Sequence, residues 1–122
     1  MKRGDVYSFT SGPDRHRHIV ISNPATSSDE VVVVNLTSQK PGSDPTCVLD
    51  ARDYEWVGVI FYLMARLEKN DELDSWVVYG KIKKERRMRP ELMDRITAGF
   101  GISLDSPQAC MDKLKVLGGK LP

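Results

Sequence analysis

The chain has 122 residues, 40% hydrophobic and 29% charged, which is typical of one soluble globular domain, here residues 1–122. No apolar run approaches the ~18 residues that span a membrane, and the start MKRGDVYSF lacks the apolar middle of a signal peptide. The net charge of +1 gives no argument for nucleic-acid binding. Because Cys47 and Cys110 form no CxxC motif, we expect a cytoplasmic protein with free thiols and no membrane contact.

Strand patterns fill the first two thirds of the chain. The segments DVYSF, HIVIS and EVVVVNLTS are apolar or alternating, and turns rich in Gly, Pro, Asn and Ser separate them. The run of four valines predicts a central strand that is buried on both faces. TCVLD, WVGVIFYLMARL and SWVVYGKI predict three further strands, with a bend or bulge at Gly58 in the long one.

Two amphipathic helices are predicted in the last third. RPELMDRITAGFG has Pro90 in the first turn and Gly101 at its end. DSPQACMDKLKVLGG repeats this pattern, with Ser106 as N-cap, Pro107 in the first turn, and Gly118 after the apolar stripe that ends at Leu117. The sequence therefore predicts a curled antiparallel sheet with C-terminal helices.

The segment GPDRHRHIVIS sets two arginines and two histidines at the start of a strand. Strand parity puts Arg15 and Arg17 on one side, and His16 and His18 on the other. Two histidines with Asp14 are too few for an ordinary zinc site, so we predict no metal and no cofactor. Arginine binds phosphate and histidine moves protons near neutral pH, which fits metal-free RNA cleavage, although the segment taken alone favours an ordinary charged turn.

Three other features have plainer interpretations. Cys47 lies in an apolar strand, so a core position is favoured over a nucleophile. Trp56 and Trp76 are flanked by valines, which favours packing over base stacking. The basic run KIKKERRMR is typical of a solvated face, although it also suits RNA phosphates or an acidic partner.

MKRGDVY, followed by RHIVIS, VVVVNLTSQ and DPTCVLD, resembles the endoribonuclease toxins of the MazF/PemK family over residues 1–50. The likeness lies in the order and spacing of these segments. Beyond them it is looser, although the glycine and C-terminal helix typical of the family fit Gly80 to Phe100.

The resemblance implies a mainly β fold, an SH3-like antiparallel barrel of the MazF/PemK/CcdB type followed by one or two helices, usually as a homodimer. It also implies the toxin of a type II toxin–antitoxin system. Such a toxin cleaves single-stranded mRNA at selected sequences without a metal and leaves a cyclic phosphate and a 5′-hydroxyl. Its partner would be an antitoxin whose acidic C-terminal segment occupies the RNA groove.

The same resemblance assigns site residues. Arg17 matches the family's phosphate-binding and catalytic arginine, and Thr37 with Ser38 matches the Thr-Ser pair at the scissile phosphate. Further substrate-binding residues are then Arg15, Gln39 and Arg66.

The chain also departs from the family. His18 replaces the usual proline, and Phe61 and Leu63 stand where PemK-like members carry an Arg and an Asp. Either His16 or His18 therefore transfers the proton, or the protein is a non-catalytic toxin or nucleic-acid- or protein-binding regulator, like the gyrase-directing toxins of this barrel.

Overall fold

The computed structural model describes residues 1–13, 16–24, 28–54 and 57–116. Within these ranges the strands are β1 (Val6–Phe9), β2 (Arg17–Val20), β3 (Glu30–Thr37), β4 (Val48–Leu49), β5 (Gly58–Lys69) and β6 (Ile82–Lys84). The helices are α1 (Asn70–Val78), α2 (Pro90–Ile102) and α3 (Gln108–Val116). The strands form one antiparallel sheet in the order β4-β5-β3-β2-β1-β6. The predicted mainly β fold with C-terminal helices is confirmed.

Strand β3 is buried on both of its faces, as its valine run predicts. Val32 and Val34 pack into the larger core, to which α2 and α3 contribute. Val31 and Val33 pack into a smaller cluster with Leu73 of α1. This alternation follows from the two-residue period of a strand.

The predicted long strand β5 is also confirmed, but the prediction of a bulge at Gly58 is wrong. The pairing passes from Val33↔Arg66 to Asn35↔Phe61, so residues 62–65 of β5 form the irregular stretch. Gly58 serves another purpose, because a Cβ there would lie 2.4 Å from the carbonyl oxygen of Thr37. The glycine lets β5 approach the end of β3 closely.

The prediction of a strand over SWVVYGKI is wrong for most of its length. Helix α1 includes the first four residues of this segment and ends at Val78, and only the last residue, Ile82, joins the sheet as the start of β6. Acidic Asp71 and Glu72 occupy the first turn of α1, where they complement the helix dipole. Gly80, with φ of +76°, follows the helix end in the left-handed region that glycine tolerates.

The two C-terminal helices lie where the sequence predicts them, and their ends differ slightly. Helix α2 begins at Pro90 and ends one residue beyond Gly101. Ser106 is not the N-cap of α3, because its hydroxyl donates to the Phe100 carbonyl at 2.6 Å. The carbonyl of Pro107 instead accepts from the amide of Met111. Leu117 and Gly118 lie outside the described residues.

Both cysteines are buried free thiols, and burial raises the pKa of Cys47 and of Cys110. This confirms the core position predicted for Cys47. Trp76 packs against Phe9 beside the smaller core cluster, with ring centroids 6.3 Å apart, while Trp56 lies outside the described residues. Among the helices described here, none is long and apolar enough to cross a membrane.

Candidate active site

Two pockets lie where β2 begins and β3 ends. The first, here called the hydroxyl pocket, has a volume of about 760 Å³ and contains His16, Thr37 and Ser38. The second, the Arg17 pocket, has a volume of about 390 Å³ and contains Arg17. Successive residues of an extended chain point to opposite sides, which explains why His16, just before β2, and Arg17, its first residue, line different pockets. Arg15 lies outside the described residues.

The hydroxyl pocket combines polar donors with an apolar wall. Thr37 is half-buried at the end of β3, and Ser38 and His16 are exposed. Leu63 and Met64 of the irregular stretch add apolar surface, as does Phe61, which precedes the stretch. Such a pocket suits a planar, partly polar group such as a nucleobase. Gln39 follows Ser38 as an exposed residue and is not among the residues that line the pocket.

One part of the hydroxyl pocket carries negative charge. Asp44 and Asp105 both line it. Burial raises the pKa of Asp44, but hydrogen bonds from Ser103 and Thr46 outweigh that effect and hold it below its usual range. Because the Asp44 carboxylate stays ionised, it repels a phosphate from that part of the pocket.

The Arg17 pocket is lined by charged and hydroxyl groups around one carboxylate. Its residues are Ser8, Phe9, Thr10, Arg17, Lys83 and Glu85. Glu85 Oε1 lies 3.8 Å from Arg17 Nε and 3.7 Å from Lys83 Nζ, and the hydroxyl of Ser8 donates to it at 2.6 Å. Among the described residues that line this pocket, two cations stand against one anion, a positive balance that suits a phosphate.

Comparison with known proteins gives one kind of match. No protein-family model and no curated protein sequence matches the chain. Among solved structures, an endoribonuclease in complex with its cognate antitoxin, from a mycobacterial species, aligns with 88% of this chain and 95% of its own, at 21% identity and a TM-score of 0.57. Two crystal forms of MazE–MazF from Deinococcus radiodurans align with 88% of this chain and 97% or 98% of theirs, at 15% and 16% identity and TM-scores of 0.58 and 0.57.

The chain has the MazF fold. This confirms the architecture that the first fifty residues imply. At 15–21% identity the likeness is one of fold, and the chemistry depends on the side chains of the two pockets.

Within this MazF fold, the guanidinium of Arg66 is hydrogen-bonded to neighbouring protein groups. Its guanidinium has five N–H groups, and five acceptors surround it: Tyr7 Oη, His18 Nδ1, Asn35 Oδ1, Glu68 Oε1 and the Met64 carbonyl, at 2.8–3.5 Å. We call Tyr7, His18, Asn35, Arg66 and Glu68 the Arg66 cluster. Its geometry favours a structural role for Arg66 over the substrate-binding role that the resemblance implies.

His18 belongs to the same cluster and is buried, with 2% of its surface exposed. Its ring stacks on Tyr7 at 4.9 Å and meets the edge of Phe9 at 5.3 Å. Nδ1 of His18 lies 2.8 Å from Arg66 Nη2, a donor, and 3.0 Å from Asn35 Oδ1, an acceptor, so this nitrogen is engaged within the cluster. His16 is therefore the better placed of the two histidines for proton transfer.

Sequence reasoning missed two polar residues that the fold brings to these pockets. Asn35 joins the Arg66 cluster to the hydroxyl pocket, which it also lines. Asn35 is the one polar residue within the apolar run VVVVNL, and a polar residue in such a run is a signal that the sequence offers. Glu85 is the one acidic residue in KIKKERRMR, and that exception was a signal too.

In the part of the chain that the structure describes, no group of three or more His, Cys, Asp or Glu side chains is placed to hold a metal ion. Asp14, considered with the two histidines, lies outside that part. A metal-free reaction stays a prediction.

Proposed function

We propose that this chain is the toxin of a type II toxin–antitoxin system, and that it cleaves single-stranded mRNA at selected sequences without a metal. The proposal rests on one observation: successive residues, His16 and Arg17, line a hydroxyl-bearing pocket and a cationic pocket at the same end of the sheet. The fold supports it, because the structural neighbours are an endoribonuclease with its antitoxin and MazE–MazF complexes.

The two pockets divide the work of binding RNA. Arg17 binds the scissile phosphate through paired N–H donors, and the Thr37 and Ser38 hydroxyls orient it. A base beside that phosphate stacks on the apolar wall at Phe61. Donors and acceptors of the hydroxyl pocket then read the base edge, which is the physical origin of sequence selectivity.

The reaction uses the RNA's own 2′-hydroxyl as nucleophile. That oxygen attacks the adjacent phosphorus, and the bond to the 5′-oxygen breaks, leaving a cyclic phosphate and a 5′-hydroxyl. Arg17 stabilises the negative charge that builds on the phosphorane, and His16 takes part in proton transfer as an acid–base group. His18, with Nδ1 engaged by Arg66, keeps β2 in place.

The antitoxin partner we propose binds with an acidic C-terminal segment. Residues 83–89 offer it a basic surface, on which the side chains of Lys83, Lys84, Arg87 and Arg89 are 46–65% exposed. Opposite charge across such a surface accelerates association and selects the partner.

We also propose a homodimer in solution. Leu63 and Met64 are 56% and 49% exposed, and burying such side chains against a second copy is favourable. Light scattering after gel filtration measures the mass directly, and a mass of one chain at micromolar concentration would contradict the dimer.

The decisive experiment incubates the purified protein with a long unstructured RNA in EDTA. We expect cleavage within a short recurring sequence, with cyclic-phosphate and 5′-hydroxyl ends found by end mapping, and no cleavage where the nucleotide 5′ of the scissile phosphate is 2′-deoxy. Intact RNA across a range of pH contradicts the nuclease. Growth arrest on expression without RNA fragments would instead support the non-catalytic toxin.

Replacing Gly58 with alanine tests whether the close approach of β5 positions Thr37. The new Cβ would lie 2.4 Å from the Thr37 carbonyl oxygen and 3.1 Å from Leu36 Cδ1, so β3 must shift. We expect unfolding free energy to fall by about 1–3 kcal/mol and RNA cleavage per folded molecule to fall as well, measured by urea titration and initial rates.

Gly99→Ala is the matched control for Gly58→Ala. Its Cβ would meet the Tyr62 hydroxyl at 2.4 Å in the core beside α2, so this variant loses stability but keeps the cleavage rate of its folded fraction. Equal rates per folded molecule in both variants would show that Gly58 does not position Thr37.

A further inference from the structure

We propose that Asn35 reads the base in the hydroxyl pocket and makes the protein select uracil or guanine at one position of its RNA. This inference rests on the proposed function and gives its sequence selectivity a residue and a direction. Asn35 lies in β3 and lines the same pocket as Thr37 and Ser38.

The side-chain amide of Asn35 has one fixed orientation. Its Oδ1 accepts from Arg66 Nη1 at 2.9 Å and lies 3.0 Å from His18 Nδ1. Because a guanidinium carries only donors, the reversed amide would set its NH₂ group against an N–H of Arg66. The oxygen therefore faces the Arg66 cluster, and the NH₂ group is the end that can meet a ligand.

This NH₂ group is a donor that the protein itself leaves unused. Asn35 is only 5% exposed. In the part of the chain that the structure describes, its Nδ2 donates to no acceptor, and this atom is not fully buried. A donor that is largely withdrawn from water and unpaired costs free energy, and an acceptor on a ligand recovers that cost. Asn35 therefore presents one directed donor to the occupant of the hydroxyl pocket.

Phe61 places a base beside this donor. Asn35 and Phe61 lie directly opposite each other on β3 and β5, and both line the hydroxyl pocket. The side chains of such a pair lie on the same face of the sheet, with Cβ atoms ~4.5–5.5 Å apart. A base that stacks on Phe61 therefore brings its edge within reach of the Asn35 amide.

The direction of the selectivity follows from the donor. Asn35 is buried whereas Ser38 of the same pocket is exposed, so the base edge farthest from the ribose is the one that reaches Asn35. At that edge uracil carries the acceptor O4 and guanine the acceptor O6, whereas cytosine and adenine carry amino groups. The two-bond pair between asparagine and adenine also needs Oδ1, which Arg66 occupies. Asn35 therefore favours the keto bases, uracil and guanine.

The test sequences the products that wild type and two variants release from an RNA library with randomised bases, in EDTA. At one position, wild type should cleave RNAs with a keto base at least about tenfold faster than RNAs with an amino base, which leaves the donor unpaired. Asn35→Asp keeps an oxygen toward Arg66 and offers an acceptor to the pocket, so its preference at that position should reverse to adenine or cytosine. Asn23→Asp is the matched control and should keep the wild-type preference. Asn23 also accepts through Oδ1, from the Arg3 amide at 3.1 Å, but it is exposed and does not line the pocket.

A change in the substrate tests the same hydrogen bond in the unaltered protein. The base 2-pyrimidinone is uracil without O4, and 2-aminopurine lacks the O6 of guanine. Either replacement at the selected position should lower wild-type cleavage about tenfold and should not lower cleavage by Asn35→Asp. A merely structural Asn35 would instead change the rate on all substrates alike and leave the base preference unchanged.

Three outcomes overturn the role of Asn35 while the nuclease stands: no keto preference at any randomised position, an Asn35→Asp variant with the wild-type preference, or a loss below about threefold when the carbonyl is removed. If wild type leaves the library intact, the proposed function fails. Fluorescence anisotropy with the same RNAs then tests Asn35 by binding alone, as it does if Asn35→Asp folds without cleaving. Equal affinity for keto and amino bases overturns the inference, and a keto preference that Asn35→Asp reverses supports it.

Discussion

Replacing Arg17 with alanine should lower RNA cleavage by at least about 100-fold and leave the fold intact. Removing one preorganised donor to a developing oxyanion typically costs 10²–10³ in rate, and a guanidinium supplies two. The loss of stability should be small, because Arg17 stands 3.8 Å from Glu85 and the pair is partly exposed, where ion pairs contribute ~0–1 kcal/mol. Initial cleavage rates and urea unfolding measure the two effects.

Arg17→Lys and Arg52→Ala complete the Arg17 experiment. Lysine keeps the charge but not the planar pair of donors, so Arg17→Lys should cleave at a rate between wild type and Arg17→Ala. Arg52 has a 91% exposed side chain paired with Asp50, and Arg52→Ala should cleave like wild type. Wild-type cleavage by Arg17→Ala would remove Arg17 from the mechanism.

Much of the fold could be predicted because local pattern and burial agree. The valine run of β3 and the Pro90 start of α2 depend on neighbours in sequence, so periodicity alone locates them. Helix α1 could not be predicted, because SWVVY has strand propensity and the helix depends on the burial of Leu73 and on the acidic first turn. The irregular stretch at residues 62–65 arises from the pairing of β5 with β3, which no single segment encodes.

The candidate site was predictable to the extent that it follows strand ends. Arg17 and Thr37 take their positions from the start of β2 and the end of β3, and parity separates Arg17 from His16. Glu85 could not be predicted as a neighbour of Arg17, because the contact depends on β6 pairing with β1 across more than seventy residues of chain. Likewise, the neighbours of Arg66 come from β1, β2 and β3 as well as from its own strand β5.

The N-terminal motif KRGD has a structural explanation in Asp5, which is 1% exposed. Its Oδ1 accepts from Arg87 Nη1, and Oδ2 accepts from the Lys2 amide at 3.1 Å and lies 3.4 Å from Lys84 Nζ. Gly4, with φ of +98°, makes the turn that brings this carboxylate inside. The segment after β6, and with it Glu85, is therefore tied to β1 by a buried charge.

Asp5→Ala should lower the unfolding free energy by about 3 kcal/mol, the lower end of the range for breaking a buried ion pair, because Arg87 can turn its charge to water. Asp94→Ala is the matched control: Asp94 also pairs with an arginine, Arg3 at 3.2 Å, but its side chain is 78% exposed. Such a surface pair contributes ~0–1 kcal/mol. Equal losses for the two variants in urea titration would contradict a structural role for the buried carboxylate. If the folded fraction of Asp5→Ala also cleaves RNA more slowly, the contacts of Asp5 with Lys84 and Arg87 also position Glu85 in the Arg17 pocket.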